Sequence, residues 1–339
     1  MLVLSCAVAS LAIPSLPRVV ISGGTHGNEY TGVYVLQRLD LQAAVIAEQH
    51  PSLQVETLFA NPASHEANRR FVDVDLNRQF SAASLADTST QQLEAQRARV
   101  IEADLGPKGP GASASVVIDM HTTTANMGCT IIVGEWSELA LKACAYVHAY
   151  WDSECDADDA AAPTRADPPP ARHPLRVIVE PGGQMEAVHV ASIASDASIE
   201  IEVGPVPQSM LRSDVVASTE RCLRLLLRYL ELHYAGRAPA LARSLHVYEW
   251  LGKVPFVEGN DPIGRLPGAV VAASVQDRDF EPLQIGAALF EHIDGTVVPY
   301  DGAMGEVVYP VFINEAAYYL PESGRGVGMS RLVERQVPV

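Results

Sequence analysis

The chain has 339 residues, enough to bury a substantial core in one large or two unequal domains. Hydrophobic residues make up 48% of it, which excludes a disordered protein, and a formal charge of −17 argues against nucleic acid and anionic membrane as partners. A small anionic substrate is compatible with that charge, because a local cluster of arginines reverses the field inside a pocket. The cysteines (Cys6, Cys129, Cys144, Cys155, Cys222) are odd in number and lack CxxC pairing, which fits a reducing compartment better than a disulfide framework. Met1 to Pro17 form an apolar extension without Lys or Arg, so they lack the positive start of a secretory signal. No apolar run is long enough to cross a bilayer, and a soluble cytoplasmic protein is expected.

Arg18 to Ser22 is a short apolar run of buried-strand length, broken by Gly23-Gly24 before a helix that begins near Tyr30. The spacing of His26 and Glu29 lets both side chains face one point at that helix start, and both are groups that zinc accepts. A second strand, Gln54 to Ala60, stops at Asn61-Pro62. The segment from Asn68 to Arg78 then concentrates arginines in an acidic protein. It reads either as a solvated loop with local Arg–Asp pairs or as an anion-holding loop in which Arg70 and Arg78 offer forked donors. Gln92 to Leu105 reads as an amphipathic helix with Leu93, Val100, Ile101 and Leu105 inward.

Ser115 to Met120 is another strand-like run and ends at His121; Ser198 to Val203 is a third and ends at Gly204-Pro205. In open α/β sheets such C-terminal ends share one rim, where ligand sites form. His26, Glu29 and His121 would there give zinc three protein ligands and leave a fourth position for water, as catalytic sites require. A helix is expected from Glu135 to Tyr150, a flexible Asp/Ala/Pro-rich insertion at about 154–174, a strand over Leu175 to Glu180, and a long helix over Met210 to Tyr234. That last helix presents Leu211, Val215, Cys222, Leu226 and Leu230 on its apolar face. Gly236 to Pro239 marks a boundary, so 18–236 reads as one domain and 237–339 as a small β-rich domain.

Assembled in order, the segments GGTHGNE, RRFVDVDLNRQF, DMHTTTANMGCT, IEVGPVPQ, QDRDFEPL and VYPVFINEAAYY resemble the aspartoacylase and aminoacylase-3 branch of the zinc carboxypeptidase-like fold. They run across nearly the whole chain. The resemblance implies an α/β architecture, a mixed sheet flanked by helices with the smaller β-rich domain covering the cleft. It implies one zinc per chain on His26, Glu29 and His121, with Asp119 orienting an imidazole from behind. Glu202 matches the family's catalytic glutamate, with Glu200 structural, and Arg70 matches the arginine that polarises the scissile carbonyl. Asn77 and Arg78 match the pair that receives the α-carboxylate, with Asp75 holding their loop. Tyr318 matches a tyrosine that the second domain places in the cleft, near Glu315. The expected reaction is hydrolysis of an N-acyl-L-amino acid to a free amino acid and a short carboxylate such as acetate. A homo-oligomer is a further expectation from the family.

Aspartate-selective members of the family carry a tyrosine and an arginine shortly before the catalytic glutamate to grip a second carboxylate. The corresponding stretch here, Met185 to Ser192, contains no arginine, lysine or tyrosine. An N-acetylated aromatic or other neutral amino acid is therefore favoured over N-acetyl-aspartate. Arg165, Arg172 and Arg176, or more weakly His189, remain candidate cations for an acidic side chain. Rival readings are a metallocarboxypeptidase, a binding homologue with a dead site, and removal of a larger acyl group such as succinyl.

Overall fold

The computed structural model describes residues 16–153, 173–183, 188–259, 266–320 and 324–338. The expected insertion and the N-terminal extension lie almost wholly outside these, as do Cys6, Cys155, Arg165, Arg172 and the 185–187 part of the stretch before Glu202.

In chain order the strands are β1 (Arg18–Gly23), β2 (Gln54–Phe59), β3 (Val116–Thr122), β4 (Gly128–Gly134), β5 (Leu175–Glu180), β6 (Ala197–Gly204), β7 (Ser244–Pro255), β8 (Ala269–Val271), β9 (Leu283–Gln284), β10 (Ala288–His292), β11 (Val297–Pro299), β12 (Val307–Val311) and β13 (Gly326–Gln336). The helices are α1 (Tyr30–Leu41), α2 (Ala43–Gln49), α3 (Pro62–Glu66), α4 (Ala82–Ala86), α5 (Leu93–Leu105), α6 (Glu138–Tyr150) and α7 (Ser213–Tyr234). β4 was not anticipated from the sequence; its Cys-Thr-Ile-Ile-Val run follows a polar segment that reads as loop.

Ten strands form one sheet in the order β2-β1-β3-β6-β4-β5-β7-β13-β12-β9, and β11-β10-β8 form a second, smaller one. β1, β3 and β6 are parallel, so their C-terminal ends reach the same rim. β4 runs antiparallel to β6 and makes the sheet mixed. The alternation of side chains along a strand divides chemistry from core. Ile118, Met120, Ile199, Ile201 and Val203 face a core that also contains Val215, Cys222, Leu226 and Leu230 of α7. Val20 and Val117 face the opposite core, built with Ala98, Ile101 and Leu105 of α5. On that second side the alternation brings Asp119 and His121 of β3 beside Glu200 and Glu202 of β6, in register.

Two expected core positions are exposed. Val100 of α5 is 59% exposed, because the buried face is Glu94, Ala98, Ile101 and Leu105; alanine lets the helix approach the sheet closely. Leu211 is 49% exposed, since α7 begins only at Ser213. The stripe that α7 does bury is substantial, at about 1.5–3 kcal/mol for each fully buried Leu or Val.

The C-terminal strands continue the large sheet: β7 pairs with β5 at Ile178↔Tyr248 and Val179↔Glu249, and with β13 along most of its length. A β-rich core of its own contains Leu289, Phe290, Tyr300, Val308 and Met329. A separate apolar cluster joins the two parts, packing Met127, Ile132 and Ile178 against Phe280, Phe312 and Tyr318.

Candidate active site

The loop after β1 turns on Gly24, whose φ of +69° suits glycine. It then passes Gly27, where a Cβ would lie 2.1 Å from the Ser64 carbonyl carbon, so only glycine fits the approach to α3. This tight path buries His26. Glu29 occupies the N-cap position of α1 but makes no capping bond, and its carboxylate points into the site instead. His121 is the penultimate residue of β3.

These three side chains converge. Their candidate ligand atoms all lie within 4.8 Å of one another, and all three residues are buried. His26 Nδ1 and His121 Nδ1 are 3.2 Å apart, and the Glu29 carboxylate reaches His26 Nδ1 at 2.6 Å and His121 Nδ1 at 3.0 Å. Each imidazole sends its other nitrogen to a carboxylate: His26 Nε2 to Asp75 at 3.1 Å, His121 Nε2 to Asp119 at 2.8 Å. Asp119 is fixed in turn by the Thr25 hydroxyl, 2.9 Å from each of its oxygens. That arrangement puts the imidazole protons outward and both Nδ1 lone pairs inward, the tautomers a cation needs. Without a cation or a proton between them, two lone pairs and a carboxylate would repel at these distances, so the donor set fits a divalent metal.

Burial alone would raise the Glu29 carboxyl, but His26 and His121 beside it hold it far below the usual carboxylate range. Burial would lower His121, yet Asp119 and Glu29 push it well up. Glu202, level with His121 on the neighbouring strand, behaves oppositely: burial first, then the charges of Glu29, Glu315 and Glu200, push it well above its ordinary value. Its Oε2 is sealed from solvent without a hydrogen-bond partner.

The arginine-rich segment closes one side. Arg70 donates from Nε to Asp75 (3.1 Å) and lies 3.4 Å from Glu29, and the Asp75 carboxylate accepts from Asn77 N–H at 2.9 Å. Arg78 donates from Nη1 to Asn77 O at 2.7 Å and approaches His189 Nε2 at 3.0 Å. Beside Asp75, a second anchor of this loop had not been read from the sequence. Glu94 of α5, fully buried, accepts from the N–H groups of Val72 (2.6 Å), Asp73 (3.0 Å) and Val74 (3.1 Å) and from Asn61 Nδ2 (3.3 Å). The available signal was an acid in helical register with Ala98, Ile101 and Leu105.

The other wall comes from the C-terminal part. Glu315 accepts from the Thr123 hydroxyl (2.5 Å) and Thr124 N–H (2.9 Å), anchoring this segment to the turn after His121. Tyr318 is buried next to it, with Lys253 Nζ 3.6 Å from the centre of its ring. Burial, with Arg78 and Arg70 nearby, pulls Lys253 down to about 8. The cavity, about 460 Å³ with its open mouth, is lined by His26, Glu29, Arg70, Asn77, Arg78, His121, Glu202, Glu315 and Tyr318, and also by Ile132, His189, Glu200 and Phe312. All nine site residues singled out from the sequence except Asp75 line it directly; Asp75 stands behind His26 and Arg70. Of the candidate cations before Glu202, Arg176 lies over the Phe280 ring away from the cavity, and His189 is in the cavity wall but engaged by Glu200 and Arg78.

Fold and site together define a mixed-sheet α/β protein with a buried His-Glu-His cluster at its strand ends and a β-rich C-terminal part that supplies one wall of the cavity. The chain belongs to the succinylglutamate desuccinylase/aspartoacylase family: the catalytic-domain description matches residues 15–230 and the barrel-sandwich hybrid domain matches residues 243–324. It is 35% identical to the human N-acyl-aromatic-L-amino acid amidohydrolase (carboxylate-forming), over 92% of this chain and 91% of that one. A probable aspartoacylase of Nostoc is also 35% identical, over 89% and 92%. The crystal structure of murine aminoacylase 3 superimposes with a TM-score of 0.80 at 34% identity, covering 96% of this chain and 99% of that one. The resemblance read from the motifs therefore holds, as does the expected fold class.

Proposed function

We propose that this chain is a zinc-dependent amidohydrolase that removes the acyl group, acetyl in the first instance, from an N-acyl-L-amino acid with an aromatic or neutral side chain. The observation that carries the reading is the His26–Glu29–His121 cluster with the unpartnered, proton-seeking Glu202 carboxyl beside it. A zinc ion held by those three residues would supply Lewis acidity and lower the pKa of water to about 7. Glu202 takes a proton from the attacking water and returns it to the departing nitrogen, base first and acid afterwards. Arg70, aligned by Asp75, offers donors to the charge that builds on the carbonyl oxygen. Asn77 and Arg78 receive the α-carboxylate. Residues 18–236 form the catalytic unit in this reading, and 237–339 close its cleft.

Ile132, Phe312, Ala317 and Tyr318 give the cavity an apolar side, which supports a neutral or aromatic substrate side chain. The relative named for aromatic substrates points the same way. N-acetyl-L-aspartate is the second reading, favoured by the relative named as a probable aspartoacylase. The test compares kcat/KM on N-acetyl-phenylalanine, N-acetyl-tyrosine and N-acetyl-aspartate, with and without a chelator. A preference for N-acetyl-aspartate replaces the substrate assignment, and no hydrolysis of any of them removes the proposal.

A further inference from the structure

His189 has no part in the chemistry above, yet it is only 4% exposed and sits in the cavity wall. Its segment is pinned against the arginine loop. Val190 N–H donates to Asn77 Oδ1 at 2.9 Å, Phe80 N–H donates to Val188 O at 3.2 Å, and Lys108 Nζ bridges Phe80 O (2.9 Å) and Ser192 Oγ (2.7 Å). Within that frame the imidazole stands between opposite charges. Nδ1 is 2.5 Å from Glu200 Oε1 and Nε2 is 3.0 Å from Arg78 Nη1.

A guanidinium carries only donors. Nε2 must therefore be the acceptor, which makes the ring neutral and places its proton on Nδ1, where Glu200 accepts it. Burial acts in the same direction, lowering the His189 pKa despite Glu200. Arg78 then spends one Nη1 hydrogen on His189 and the other on Asn77 O. Its Nε and Nη2 hydrogens remain, the edge that grips a carboxylate side-on.

We propose that His189, its tautomer set by Glu200, is the positioning residue that aims Arg78 at the substrate's α-carboxylate. This rests on the reading of Arg78 given above. The same imidazole in a purely structural role would lower stability on replacement without separating KM from kcat. As a positioning residue it affects ground-state and transition-state binding alike, so KM carries the effect.

The test is steady-state kinetics of wild type, His189→Leu, His189→Asn and His189→Gln on the N-acetyl amino acid that wild type hydrolyses best. Gln carries an acceptor where Nε2 stands; Asn reaches only the Nδ1 position, and Leu offers neither. Leu and Asn should raise KM by about 10- to 100-fold, the worth of a hydrogen bond to a charged group. kcat should stay within about threefold, and Gln should recover most of the lost affinity. An unchanged KM in Leu and Asn, or equal damage in all three variants, overturns the proposal. A second measurement is independent of turnover: ¹⁵N spectra of selectively labelled wild-type histidines, assigned by loss of one signal in His189→Gln. They should show a neutral, Nδ1-protonated ring at pH 7 whose Nε2 signal moves in Arg78→Ala. A charged ring or an Nε2-protonated tautomer overturns the proposal whatever the substrate proves to be. If wild type hydrolyses no N-acyl amino acid, the functional reading falls and the spectra alone decide the role of His189.

Discussion

Replacing Glu94, a residue absent from the cavity, should disable the site. Its carboxylate accepts three consecutive backbone N–H groups, from Val72, Asp73 and Val74, at 2.6–3.1 Å, in the stretch that carries Arg70, Asp75, Asn77 and Arg78. Glu94→Ala strands those donors, each worth about 1–3 kcal/mol when buried and unsatisfied. Val72 and Asp73 are partly open to water, which relieves some of that cost. A total of about 3 kcal/mol is the reasonable expectation, or roughly 4 °C in thermal midpoint for a protein of this size. The loop also loses its register, and displacements of about 1 Å at a reacting centre cost on the order of 100-fold in rate. Glu94→Gln should fall between the two, because its amide NH2 must face at least one of the same N–H donors. The assay is differential scanning calorimetry beside kcat/KM. An alanine variant with wild-type midpoint and wild-type kcat/KM would refute the idea that Glu94 sets the loop.

Further outcomes follow from the same geometry. Glu202→Gln should retain metal while kcat drops by about 10²–10⁴-fold, the usual worth of a positioned acid–base group; metal analysis with single-turnover kinetics checks it, and near-normal rates would remove Glu202 from the mechanism. Asp119→Asn should weaken metal affinity by about 10–100-fold through His121, read by competition with a chromogenic chelator. Stability should fall in acid. Burial pushes the His189 pKa below 6.5; burial would raise the Glu200 carboxyl, but His189 beside it outweighs that and holds it at about 2. The unfolded chain therefore binds more protons at both positions, and stability is lost as pH falls through 6.5 and again through 4.5. His189→Gln should flatten the first of these limbs in denaturant titrations, and an unaltered limb would assign it elsewhere.

The convergence of His26, Glu29 and His121 was legible because they follow short apolar runs, and parallel strands bring such ends to one rim. The parallel register of β1, β3 and β6 bears that reasoning out as architecture. Other features had no such signature. Glu94 lies on the buried face of α5, where small alanines, not Val100, meet the sheet, so periodicity weighted by large apolar residues chose the wrong stripe. β4 followed a polar segment that reads as a loop, and its antiparallel place beside β6 depends on long-range pairing. The passage of one sheet from β5 into β7 rests on a brief contact between residues far apart in sequence. His189 was visible as a residue but not as a partner of Arg78 and Glu200, since three segments must fold before they meet.

The central claim is that His26, Glu29 and His121 together hold a catalytic divalent cation. Metal content and hydrolysis rate should be followed together as zinc is stripped from the purified protein and returned. One zinc per chain, with activity vanishing and reappearing in proportion, is the predicted result. Full turnover by protein shown to be free of metal would contradict it.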